Sequence, residues 1–243
     1  MTRPTRSILT RVALLAIAVP ALVAACSSGG GGAATVAPAT PEPSAAAPTS
    51  VASPVAGVPA DCPTAQPEPL AAGEKRIVTI STDQGDIEIE LDASLSPIAV
   101  GNFVALAECG WYDGVIFHRV IPNFVIQGGD GQYGRAPDID PNLIGTGGPS
   151  YTIQDEPVTA TYGRGTVAMA RSSEPNSVGS QFFIVTDDSA VQALADPQYN
   201  NYQIIGTVTS GMETVDAIVN APRNAQDFPD TPVVMNDVSV ATP

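Results

Sequence analysis

The stretch VIFHRVIPNFVIQGGD, residues 115–130, decides the fold. Its two runs rich in Val, Ile and Phe suit a pleated, half-buried surface. Between them Pro122–Asn123 is turn chemistry, because Pro presets the backbone and Asn tolerates unusual angles. The stretch predicts two short strands joined by a turn. Into that apolar setting it places one guanidinium, Arg119, and one carboxamide, Gln127. Polar groups that are even half-buried need partners, so these two either satisfy each other or await a ligand.

On the N-terminal side, KRIVTISTDQGDIEIELD (75–92) alternates: Ile87, Ile89 and Leu91 face one way and Glu88 and Glu90 the other. With a turn at Asp83–Gly85, this is a half-buried antiparallel hairpin. SPIAVGNFVALAECG (96–110) reads as a helix with Ser96 as N-cap and Pro97 at its first position. Its inner face is Val100, Phe103, Val104 and Ala107, and Gly110 ends it. On the C-terminal side come a Gly/Pro/Asp-rich loop (128–156), strands at 164–171, 180–186 and 203–211, a helix at 212–220 and a closing strand at 233–240. The expectation is mainly β: a closed eight-stranded antiparallel barrel capped by two helices.

Hydrophobic residues make up 44% of the 243, which supports one real core. The 25 acidic against 10 basic residues give a soluble, self-repelling surface that disfavours nucleic acid as a partner. Residues 1–25 read as a targeting segment: a basic start, then an apolar run interrupted by Pro20 and too short for a span of about 20 residues. Val23-Ala24-Ala25-Cys26 resembles the lipobox of bacterial lipoproteins, which implies acylation of Cys26, a membrane anchor and an extracytoplasmic location. The alternative is a secretory signal with an incidental cysteine. Residues 26–72, rich in Ala, Pro, Ser, Thr and Gly, read as a disordered tether, and 73–243 as the globular domain. Export leaves Cys62 and Cys109 in a compartment where they either bridge or stay free.

Several chemistries lack their residues. The chain has one histidine, His118, set among apolar residues next to Arg119 with no G-x-S-x-G elbow, so it reads as a hydrogen-bonded structural group. A zinc centre would need more His and Cys ligands than are present. The Gly-rich segment has no GK[ST] ending, and DIDPN (138–142) lacks the later ligands of a calcium loop. No metal or cofactor is expected. What remains is a reaction that needs no nucleophile, metal or proton shuttle.

FHRVIPNFVIQGGD (117–130) resembles the signature FHR-x-I/V-P-x-F-x-x-QGGD of the cyclophilin-type peptidyl-prolyl cis-trans isomerases, and GTGGPS (145–150) resembles a second segment of that family. The likeness runs over roughly 76–240. It implies rotation about Xaa-Pro bonds, with Arg119 and Gln127 as catalytic groups. It places Phe124, Val125, Phe183, Leu194 and Tyr202 around the substrate proline. Gln181, Ala170 and Arg171 fall beside the peptide backbone. Val125 stands where Met is usual, Arg171 where Asn is, and Tyr202 where His is. The tryptophan that helps bind cyclosporin falls on Ala193, which implies weak binding of that ligand. Phe182 points opposite to Phe183 and reads as core. The partners implied are Xaa-Pro segments of exported or envelope proteins, met by a monomer. The rival reading is a non-catalytic proline-peptide-binding module or chaperone on the same fold.

Overall fold

The computed structural model describes residues 58–196 and 201–243; the expected targeting segment, Cys26 and most of the expected tether lie outside the described residues. The alternating hairpin forms as β1 (Lys75–Thr82) and β2 (Gly85–Asp92), paired from Lys75 opposite Asp92 to Thr82 opposite Gly85. Its register buries Ile87, Ile89 and Leu91 completely and turns Glu88 and Glu90 outward. The organising stretch forms β3 (Val115–Ile121) and β4 (Val125–Gly128). Asn123 sits at φ 60° in the turn between them, where a short polar side chain is tolerated. β5 (Thr166–Met169), β6 (Phe182–Val185) and β7 (Ile204–Ser210) follow, then β8 (Val234–Met235) and β9 (Asp237–Ala241). All pairings are antiparallel, and the sheet runs β8-β3-β4-β6-β5-β7-β2-β1-β9.

The described residues thus hold nine strands rather than eight. The expected closing strand is broken at Asn236: its first half pairs with β3 and its second with β1, the two opposite edges of the sheet. Asn236 donates its backbone N–H to the Ser81 carbonyl at 2.7 Å, so the chain itself closes the barrel. The described residues also hold three helices rather than two: α1 (Pro97–Glu108), a single turn α2 (Ala190–Leu194), and α3 (Met212–Val219). α1 packs on β2, β7 and β9, while α3 packs on β2, β3 and β4. Phe103 of α1 stacks on Tyr112 at 4.8 Å and meets the edge of Phe182 at 5.3 Å, so an aromatic cluster fills the core.

The start of α1 and its neighbourhood differ from expectation in two respects. Ser96 is the N-cap residue and Pro97 follows it, as expected, but the Ser96 side chain makes no capping bond and its hydroxyl is buried without a partner. Glu156 caps the helix instead, taking the N–H of Ile98 and of Ala99 at 2.9 Å each. A carboxylate there satisfies two free donors and complements the positive end of the helix dipole. The second correction concerns the tether boundary, because residues 58–72 are packed against the domain. Leu70 donates its N–H to Pro97 at 3.1 Å, and the Glu68 carbonyl comes so near α1 that a Cβ on Gly101 would meet it at 2.6 Å. Val58 and Leu70 lie against the main core. A disulfide joins Cys62 to Cys109, with Cα atoms 5.1 Å apart. Composition alone sees few bulky apolar groups in this strap; the covalent bridge and the close approach at Gly101 hold it.

Candidate active site

In β6 the two-residue period turns Phe182 and Ile184 inward, as expected for Phe182, and Phe183 outward. In β3 a register shift between Phe117 and Arg119 lets Phe117 and Val120 both point inward while Arg119 faces out. Arg119 is exposed on the outer face, opposite Gln127 of β4, which is in turn opposite Phe183 of β6. Val125, Phe183, Leu194 and Ile204 belong to a second, smaller apolar cluster against which Phe124, Ala170 and Tyr202 pack. Arg119, Phe124, Val125, Phe183, Leu194 and Tyr202 surround a hollow of about 50 Å³. Tyr202 sets its ring edge-on to Phe183 at 5.3 Å. Its carbonyl accepts from the Tyr162 hydroxyl at 2.8 Å, a group whose pKa burial pushes up to about 12.

The polar half of the site is a chain of carboxamides. Arg119 donates from Nη1 to Gln127 Oε1 at 3.4 Å, longer than a usual N–H···O hydrogen bond. Gln127 Nε2 donates to Gln181 Oε1 at 3.0 Å. Gln181 Nε2 donates to the carbonyls of Gly145 at 3.0 Å and Gly147 at 2.8 Å. Of the alternatives open for Arg119 and Gln127, the structure shows contact between the two, with the guanidinium still facing solvent.

Gln181, Ala170 and Arg171 lie beside a second cleft of about 510 Å³, bounded across by Gly145–Pro149. They do not line the small hollow. The Arg171 guanidinium is committed locally: it pairs with Asp155 at 3.0 Å and donates to the carbonyls of Ser172 and Glu174. Ala193 is exposed on α2, and the single tryptophan, Trp111, is buried, so no indole stands at the hollow.

His118 departs from its expected role. It is buried, as read, but neither ring nitrogen has a hydrogen-bond partner. Its ring lies against Gly145, within 3.6 Å of where a Cβ would stand there. Burial lowers its pKa from 6.5 to about 4, so the ring is neutral near pH 7. The unfolded chain binds this proton near pH 6.5 and the folded chain only near pH 4. Between those values the unfolded state holds more protons, so stability falls as pH falls through that window. Urea unfolding at pH 7 and pH 4 is expected to differ by on the order of 3 kcal/mol from this group. The slope between pH 6.5 and 5, above the carboxylate range, should vanish in His118→Gln; an unchanged slope there would assign it elsewhere.

Among the described residues no group of three or more His, Cys, Asp or Glu is placed to hold a metal ion. The arrangement is a permanent cation at the rim of a small apolar hollow, in contact with a chain of carboxamides. It can seat a compact apolar ring and stabilise developing electron density beside it.

The sequence model for the family described as cyclophilin type peptidyl-prolyl cis-trans isomerase/CLD matches residues 77–240. A probable peptidyl-prolyl cis-trans isomerase of Brucella suis is 41% identical over 151 residues, covering 61% of this chain and 74% of that protein. The isomerase cyp18 of Streptomyces antibioticus is 38% identical over 170 residues, covering 67% and 97% respectively. A crystal structure of a Cryptosporidium parvum cyclophilin type isomerase superposes with a TM-score of 0.58 at 32% identity, covering 70% of this chain and 99% of that one. The same description holds for a structure obtained in the presence of the dipeptide Ala-Pro, with a TM-score of 0.57 and 33% identity.

Proposed function

Because the chain belongs to the cyclophilin type peptidyl-prolyl cis-trans isomerase family, we propose that Arg119 and its hollow catalyse rotation of Xaa-Pro bonds in exported proteins, from a lipid anchor on Cys26. The observation that carries the chemistry is the exposed guanidinium of Arg119 on the wall of a hollow lined by Phe124, Val125, Phe183, Leu194 and Tyr202. The hollow receives the pyrrolidine ring. Rotation breaks amide resonance against a barrier of about 18–20 kcal/mol. In the twisted state the prolyl nitrogen regains a lone pair, which a fixed cation stabilises more than it stabilises either planar form. Gln127 holds the guanidinium in place, and Gln181 and the edge at Ala170 and Arg171 run alongside the peptide. A gain of about 6–7 kcal/mol would give roughly a 10⁵-fold acceleration.

A protease-coupled assay on a short Xaa-Pro peptide separates this reading from a non-catalytic docking module, which would bind the peptide without speeding its isomerisation. The location rests on the basic start, the apolar run and the Val-Ala-Ala-Cys ending at Cys26. Two or more acyl chains would give stable anchoring. In the native host, Cys26→Ala is expected to move the protein from the membrane fraction to the soluble or secreted fraction. Unchanged membrane association would overturn the anchor.

A further inference from the structure

Asp130 ends the organising stretch and is fully buried, yet it touches none of the residues around the hollow. Its carboxylate is satisfied by backbone alone. Oδ1 accepts from the N–H of Gln132 at 3.2 Å and of Tyr133 at 2.9 Å. Oδ2 accepts from the N–H of Gly145 at 2.7 Å and of Gly147 at 3.0 Å. A Cβ on Gly147 would collide with this carboxylate, so the loop approaches it as closely as glycine allows. The same two glycines use their carbonyls to hold Gln181 Nε2. Gln181 then orients Gln127, and Gln127 meets Arg119.

We propose that Asp130 is a positioning residue for the reaction: it fixes Gly145 and Gly147, whose carbonyls set Gln181, which sets Gln127 and through it the fork of Arg119. The proposal rests on the isomerase reading of the site. The reason is geometric. A carboxamide can rotate end for end, and a flip of Gln181 would turn a donor toward Gln127 Nε2, itself a donor. Two carbonyls aimed at Gln181 Nε2 forbid that flip, and they are aimed because Asp130 clamps the N–H groups of the same residues. Misplacing a reacting group by about 1 Å can lower a rate about 100-fold, so a loosened relay should be felt well short of that.

The test is a double-mutant cycle on the full chain, read as kcat on an Xaa-Pro peptide. Asp130→Ala is expected to lower kcat about 5- to 20-fold with KM changed less than about twofold, because the cation acts in the twisted state. In a Gln181→Ala background, where the relay is already cut, the same substitution should change kcat by less than about twofold. Asp130→Ala should also shift or broaden the Arg119 Nε–H signal in NMR spectra. Losses that multiply independently, or a full wild-type kcat in Asp130→Ala, would overturn the relay while leaving the isomerase reading intact. An inactive wild-type chain would overturn that reading and the relay with it. If Asp130→Ala does not fold, Gly145→Ala takes its place in the cycle under the same criteria. It strains a backbone at φ +86° where the neighbouring His118 leaves room for a methyl group.

Discussion

Arg119→Ala is expected to lower kcat/KM for an Xaa-Pro peptide by about 100-fold or more while leaving the fold intact. The size follows from what the side chain supplies. Removing one preorganised donor aimed at charge that develops in a transition state typically costs a factor of about 10²–10³. Stability should hold because Arg119 is exposed and makes one long hydrogen bond, to Gln127. Its removal opens no cavity, and surface changes of this kind stay within about ±0.5 kcal/mol. Arg119→Lys is the sharper comparison. It keeps the charge but loses the planar fork, so a rate near that of the alanine variant would show that geometry matters as well as charge. An alanine variant that kept more than half of the wild-type rate would sink the assignment of Arg119, whatever its thermal stability.

The elements that carry this site are legible in the amino-acid sequence because they obey a local period. Alternation in 180–186 separates Phe183 from Phe182, whereas Arg119 faces out opposite Gln127 because β3 shifts register between Phe117 and Arg119, which no local period signals. What local patterns miss are contacts fixed by distant chain. Nothing in VVMNDVSV signals that its halves serve opposite edges of the barrel, since both look like strand and only closure separates them. Ser96 followed by Pro97 has the chemistry of a helix start, yet the cap comes from Glu156, brought near by a loop. Asp130 reads as the end of a motif, but two of its four backbone partners, the N–H groups of Gly145 and Gly147, become visible only once the 143–148 loop folds over it. Arg171 illustrates the opposite error. Its position beside the cleft was legible, whereas the commitment of its guanidinium to Asp155 depends on a turn that composition does not specify.

Replacing both Cys62 and Cys109 with serine is expected to destabilise the protein by about 2–4 kcal/mol. The bridge joins residues 47 apart in sequence, and closing a loop of that size in the unfolded chain removes entropy equivalent to about 4 kcal/mol at 25 °C. Part of that is offset because most residues of the strap are exposed despite the packing of Val58 and Leu70, so a strap freed of the bridge regains freedom when it detaches from α1. The folded state loses little else, for the strap's polar ties to the domain include the Leu70 N–H donating to the Pro97 carbonyl and the Gln154 N–H donating to Gln66 Oε1. For a domain of this size the midpoint should fall by roughly 5–15 °C. The isomerase rate at 25 °C should not change, since the bridge ties the strap to the end of α1 and neither cysteine lines the hollow or the cleft. The two readouts therefore separate: melting moves and turnover does not. Mass spectrometry of non-reduced, alkylated protein checks the premise, and free thiols at both Cys62 and Cys109 in freshly isolated material would remove it. A loss of activity that tracked the loss of the bridge would instead mean that the strap reaches the site through α1, whose Asn102 donates to the Gly179 carbonyl on the cleft wall.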